Sequence, residues 1–178
     1  IVEKEETMKK LVPVFCAGAL LFSLAACVGG ETPTGSASGS PDPGTSAQAN
    51  RNYFAQPDTQ VSAHFLIGLE GEIIQCIPLT EIAYASNTRN ADTVAIEVCH
   101  PDETGQFSPV TYQRVVELTA WLCKTFRLGL APETDVIRHY DVTEKLCPLY
   151  YVEHPEAWDA FRADVAAELA DQEAGDPA

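Results

Sequence analysis

Apolar and polar positions repeat along this chain with a period that changes from element to element. Residues 61–67 and 72–77 are β-rich runs, and Gly68 and Gly71 lie in the short stretch between them. Two such runs around glycines predict a hairpin. Residues 93–99, TVAIEVC, alternate as a third strand. The period of two puts Val94, Ile96 and Val98 on one face and Thr93, Ala95, Glu97 and Cys99 on the other. From 109 the period lengthens. Tyr112, Val115, Val116, Thr119, Leu122, Cys123 and Phe126 share a helical face, with Ser108 as N-cap, Pro109 at the first helical position and Gly129 just beyond the end. Residues 136–138 form a short strand. Pro155 opens a last helix with Trp158, Phe161, Val165 and Leu169 on one face. A short helix over 47–55 carries Tyr53 and Phe54. The sum is an α/β fold, a mixed sheet with strands gathered early and two long helices covering it.

The N-terminal pattern is different. In residues 8–27, MKKLVPVFCAGALLFSLAAC, Lys9 and Lys10 precede an apolar run over 11–24 that is too short to span a membrane. LAAC, residues 24–27, resembles a bacterial lipoprotein box, which implies lipidation of Cys27 as the mature N-terminus. A buried strand or helix is the alternative use of such a run. Residues 1–7 precede the single Met and are read as upstream sequence. Residues 28–46 are Gly, Ser, Thr and Pro with almost nothing to bury, a flexible tether. The expected division is leader 1–27, tether 28–46, folded domain 47–170 and a frayed acidic tail 171–178. The expected location is outside the cytoplasm, lipid-anchored to the bacterial membrane and facing the cell wall, as a monomer.

The 178 residues are 46% hydrophobic and 21% charged, a globular balance. Net charge is −15. Residues 1–30 are balanced, so the acidic excess lies in the body. That excludes nucleic acid as a partner, because phosphate binding needs Lys and Arg. Of six Cys, Cys16 and Cys27 fall in the leader. Export would permit disulfides among Cys76, Cys99, Cys123 and Cys147, in any of three full pairings.

Chemistry concentrates in RHYDVTEKLCP, residues 138–148. Imidazole and thiolate are good zinc ligands, and a catalytic zinc uses three protein ligands with one position left for water. His139 and Cys147 supply two. Lys145 could donate to a developing oxyanion. A capped loop around a buried Cys remains an equal reading of the spacing.

RHYDVTEKLCP, VSAHFLIGLEGEIIQCIP, TVAIEVC and PGTSAQANRNYF (residues 43–54) together resemble the zinc-dependent N-acetylmuramoyl-L-alanine amidases. This type-2 family includes phage lysozyme-like amidases and is related to peptidoglycan recognition proteins. The resemblance covers roughly 43–165. It implies a mixed sheet flanked by helices, a zinc in an open groove, and cleavage of the amide between N-acetylmuramic acid and L-alanine in peptidoglycan. It also implies that His139 and Cys147 are zinc ligands, that Lys145 stabilises the oxyanion, and that Glu97 activates the water. Tyr84 falls where the family often has an aromatic along the groove, although a core Tyr is nearly as good a reading. His64 matches a position that is not usually a ligand, where a packed or hydrogen-bonded role is expected, with substrate contact as a second role. His100 and His154 have no counterpart.

One feature of the family is missing from its expected place. The third zinc ligand is a His at the end of a first strand, and Ser38 stands about there, within tether. The expectation is a sheet without its first strand, with His64 or His100 as substitute ligands. Three functions stay open: an active amidase, a degenerate amidase that binds peptidoglycan as a lipoprotein without cutting it, and a cysteine hydrolase using Cys99–His100 or Cys147–His139.

Overall fold

The computed structural model describes residues 19–22, 44–126 and 132–175. One sheet runs through it in the order β3-β2-β4-β1-β5. The strands are β1 (Ala19–Phe22), β2 (Phe65–Ile67), β3 (Ile73–Gln75), β4 (Thr93–Val98) and β5 (Val136–Arg138). The helices are α1 (Ala47–Phe54), α2 (Pro109–Phe126), α3 (Pro132–Asp135), α4 (Tyr140–Thr143), α5 (Leu149–Glu153) and α6 (Pro155–Ala174). A 3-10 turn, Asn87–Asp92, leads into β4. β2, β4, β1 and β5 are parallel, and β3 returns antiparallel on β2.

The alternation of β4 divides the protein. Ile96 and Val98 join Phe65, Ile67 and Val136 in a core completed by Val115, Leu122, Trp158, Phe161 and Val165 from α2 and α6. Trp158 stacks on Phe161 with centroids 5.3 Å apart, and Tyr112 meets Phe161 edge-on at 5.8 Å. A side chain as buried as Phe161 contributes about 1.5–3 kcal/mol. Ser108 caps α2 as its sequence requires, its Oγ accepting the Thr111 N–H at 3.2 Å.

The opposite face holds Glu97, Cys99 and Ala95. Here Ser46 caps α1 through the Ala49 N–H, and Ala47 packs on Leu66 and Cys99. Ala63, Ala83 and Ala95 form a second small cluster. Their short side chains let the 83–92 segment lie close to the sheet. The hairpin closes with Gly68 N–H on the Glu72 carbonyl at 2.8 Å. Gly71 has φ +79°, and a Cβ there would come 2.9 Å from Arg114 Cγ and 3.0 Å from Val110 Cγ2. Glycine is required on both counts.

Two expectations change. The first strand is present: Ala19–Phe22 lies between β4 and β5, with Phe22 registered against Ile96 on one side and Arg138 on the other. It comes from the apolar run assigned to the leader. A central parallel strand reads as a continuous apolar stretch, and so does the core of a leader, so hydropathy does not separate the two. At the other end, α6 continues through Ala174 instead of fraying at 171. Gln172 holds it there. Its Nε2 donates to the Glu117 carbonyl at 3.2 Å, and its own carbonyl accepts Lys124 Nζ at 2.6 Å. Among the described residues Cys76, Cys99, Cys123 and Cys147 form no disulfide. Cys27, the proposed lipid acceptor, and Ser38 lie outside the described residues.

Candidate active site

β5 stops at Arg138, and the chain turns at once into α4. His139 occupies the N-cap position, and its carbonyl accepts the Val142 and Thr143 N–H groups, both at 3.0 Å. The single helical turn ends at Glu144, in the left-handed region with φ 62°, whose N–H returns to the Tyr140 carbonyl at 2.8 Å. The decisive contact follows: Tyr140 N–H donates to the Cys147 carbonyl at 2.9 Å. That bond folds the six intervening residues, 141–146, into a closed loop, so an uncommon sequence spacing becomes a short distance between the His139 and Cys147 backbones. The loop then leaves through a cis Cys147–Pro148 bond.

His139 is partly buried and Cys147 fully so. Burial, then the nearby Lys145 ammonium, lowers the His139 pKa to about 4. The imidazole is therefore neutral at pH 7, the state a metal ligand needs. Lys145 is half-buried beside it.

Glu97 lies near the C-terminal end of β4 and is 3% exposed. Phe22 registers with Ile96 and with Arg138, so the residues just before Glu97 and His139 stand level, two inter-strand spacings apart, about 10 Å. Both lie at the C-terminal ends of parallel strands, where α/β sheets place their ligands. Tyr84 is 61% exposed, so the core reading of this Tyr is set aside. Its N–H is held by Ser62 Oγ at 2.9 Å. The 3-10 turn after it packs against α4.

Of the two substitute ligands, His64 has both ring nitrogens occupied. His64 Nδ1 accepts the Ala95 N–H at 3.0 Å, and its Nε2 lies 3.0 Å from the Glu81 carbonyl. An acceptor at Nδ1 fixes the proton on Nε2, so both nitrogens are committed to backbone. This buried ring is also closed to substrate. His100 is 1% exposed, with Nδ1 donating to the Asp102 carbonyl at 2.7 Å. The Cys99–His100 pair is buried, both residues at most 1% exposed. Burial pushes the Cys99 thiol up to about 11, although Asn50, whose Nδ2 reaches Sγ at 3.4 Å, partly opposes it. A thiol so held is a poor nucleophile at neutral pH. His154 is a surface residue, with Nδ1 3.3 Å from Glu156.

The donor set of His139 and Cys147, neutral nitrogen and sulfur, suits zinc. Among the described residues no group of three or more His, Cys, Asp or Glu is gathered to hold a metal. What sequence reasoning missed is the Arg138–Asp141 pairing around His139, because a charge pair inside the 138–148 stretch looks like loop solvation.

A family model described as N-acetylmuramoyl-L-alanine amidase matches residues 31–149. The chain belongs to this family. It is 30% identical over 148 residues to the N-acetylmuramoyl-L-alanine amidase BlyA of Bacillus subtilis (strain 168), covering 72% of this chain and 39% of that protein. It is 32% identical over 140 residues to the N-acetylmuramoyl-L-alanine amidase CwlL of Bacillus licheniformis, covering 69% and 38%. The chain thus spans about two fifths of the length of these curated relatives. Among solved structures, the catalytic domain of XlyA superposes with TM-score 0.61 at 22% identity, over 86% of this chain and 94% of that one. The PlyG catalytic domain superposes with TM-score 0.66 at 17% identity, over 85% and 82%. At these identities the superpositions establish the fold, which the chain shares with these catalytic domains.

Proposed function

We propose that the chain hydrolyses the amide between N-acetylmuramic acid and L-alanine in peptidoglycan. The observation that carries this reading is the closed 139–147 loop, which pairs a neutral imidazole with a buried Cys beside Lys145, in a member of this family. His139 and Cys147 would hold a zinc ion, whose chemistry when bound is to polarise a carbonyl and make water more acidic. Glu97 takes the proton of the attacking water and returns it to the leaving amine of L-alanine. Lys145 donates to the carbonyl oxygen as negative charge develops there. Tyr84 offers an exposed ring to sugar or peptide.

Incubation with muropeptides tests the proposal. Newly released L-alanine amino termini support it. Intact muropeptide, with the chain still sedimenting on peptidoglycan, would leave binding without cleavage.

Action on the wall requires export, and residues 8–27 have the form of a lipoprotein leader ending at Cys27. Among the described residues no helix is long and apolar enough to cross a membrane, so anchoring would rest on the lipid. The fold sets a condition on this proposal. Ala19–Phe22 lies inside the leader, and a chain cut before Cys27 gives up the strand between β4 and β5. Mass measurement of the protein recovered from membranes decides whether that cut occurs.

A further inference from the structure

Asp141 and Arg138 form a fork around His139. Arg138 N–H donates to Asp141 Oδ2 at 2.8 Å, and its side chain donates from Nε to Oδ2 at 3.2 Å and from Nη2 to Oδ1 at 2.8 Å. One carboxylate therefore accepts both the backbone and the guanidinium of the residue before His139, while belonging itself to the helical turn after it. The guanidinium is anchored in turn. Nη1 donates to the Tyr151 carbonyl at 2.9 Å, and the group lies over the Tyr140 and Trp158 rings at 5.5 and 5.4 Å. The Arg138 side chain is only 16% exposed and that of Asp141 32%.

From this geometry we infer that Asp141 is a positioning residue for the metal loop, acting through Arg138 to fix His139 and the Tyr140–Cys147 bond. The physical case has three parts. A bidentate Arg–carboxylate pair defines orientation as well as attraction. A carboxylate that also takes a backbone amide ties that orientation to the main chain. The far end of the guanidinium is bonded to α5 and stacked on α6, so the loop is referenced to the helical layer and not only to the end of β5. Without the fork, α4 is a single turn with no side-chain cap at its start, and such a turn has little stability of its own. This inference rests on the proposed hydrolase reading for its purpose, but its structural content does not need a metal.

The test uses the full chain with Asp141→Asn, Arg138→Lys and the double variant. Asparagine keeps the size and loses the charge. Lysine keeps the charge and loses the fork. The metal-free readout is hydrogen exchange at the Tyr140 amide. Asp141→Asn should speed it at least about 10-fold while amides of α2 and α6 keep their protection. The metal readout is cobalt binding, followed by the thiolate-to-cobalt absorption. Its affinity should fall about 10–100-fold, as for loss of groups that orient ligands. Arg138→Lys should reproduce both effects, and the double variant should be no worse than Asp141→Asn. Parental exchange at Tyr140 in Asp141→Asn would overturn the inference, as would a double variant whose losses simply add. If the parent binds no cobalt, the zinc reading fails, and the exchange measurement alone decides the role of Asp141.

Discussion

His64 takes the N–H of Ala95 on Nδ1 at 3.0 Å and faces the Glu81 carbonyl with Nε2 at 3.0 Å, so one imidazole joins a strand junction to the loop that carries Tyr84. Replacing it with Ala strands a buried amide. The expected loss in a denaturant titration is about 1–3 kcal/mol, with metal content unchanged. Loss of metal without loss of stability would return His64 to the ligand set.

The same residue contributes to pH dependence. Burial is the main cause of a lowered pKa at both His64 and His139, partly offset at His64 by the Glu81 bond. Each takes up a proton more readily unfolded, near pH 6.5, than folded. Their contribution is therefore full above pH 6.5 and lost as pH falls, for His139 across the window from 6.5 to about 4. Stability of the metal-free chain should decline on acidification by up to about 1.4 kcal/mol per pH unit per group. His64→Ala should flatten that slope. A slope identical to the parent's would show that His64 does not titrate on unfolding.

Glu97→Gln should lower muropeptide cleavage about 10²–10⁴-fold, and Lys145→Ala about 10²–10³-fold, each with the parental unfolding midpoint. A variant of either kind that cleaves at the parental rate would remove that residue from the reaction.

Cys99→Ala and Cys147→Ala separate metal ligation from thiol nucleophilicity. Cys99 is buried against Asn50 and Ala47, so its loss should cost stability and leave cleavage measurable. Cys147→Ala should abolish both zinc retention and cleavage. Zinc retained in full by Cys147→Ala, with cleavage gone, would point to a nucleophile instead.

Leu21 pairs with Ala95 and with Ile137. Proline at 21 removes a ladder donor from a strand bonded on both sides, a position proline does not occupy. Leu21→Pro, and a chain beginning at residue 28, should both unfold at markedly lower denaturant than the parent. Parental stability in the shortened chain would show that the domain stands without β1 and that the leader is free to be cleaved.

Much of this could be read from the sequence because the signals are local. Ser108-Pro109 starts α2, the glycines of 68–71 turn the hairpin, and the alternation of Thr93–Val98 puts Glu97 on the face opposite Ile96. His139, Cys147, Lys145 and Glu97 came from motif and resemblance. What did not come through depends on long-range or backbone partners. His64 is occupied by two main-chain atoms that no residue pattern encodes. The Asp141–Arg138 fork differs from a solvated charge pair only in three dimensions. β1 was hidden because the composition of a central parallel strand and that of a leader are the same.

The position of β1 also governs the order of folding. Leu20 pairs with Val136, so the contact spans most of the chain, and neighbouring strands of the finished sheet come from its two ends. Closing so large a loop has an entropic cost that no local contact repays in advance. The hairpin and β4 can assemble as the chain emerges, but β5, and with it His139, has no strand to join until β1 is inserted. The 139–147 loop would then be among the last parts of the protein to form, after synthesis has passed residue 138.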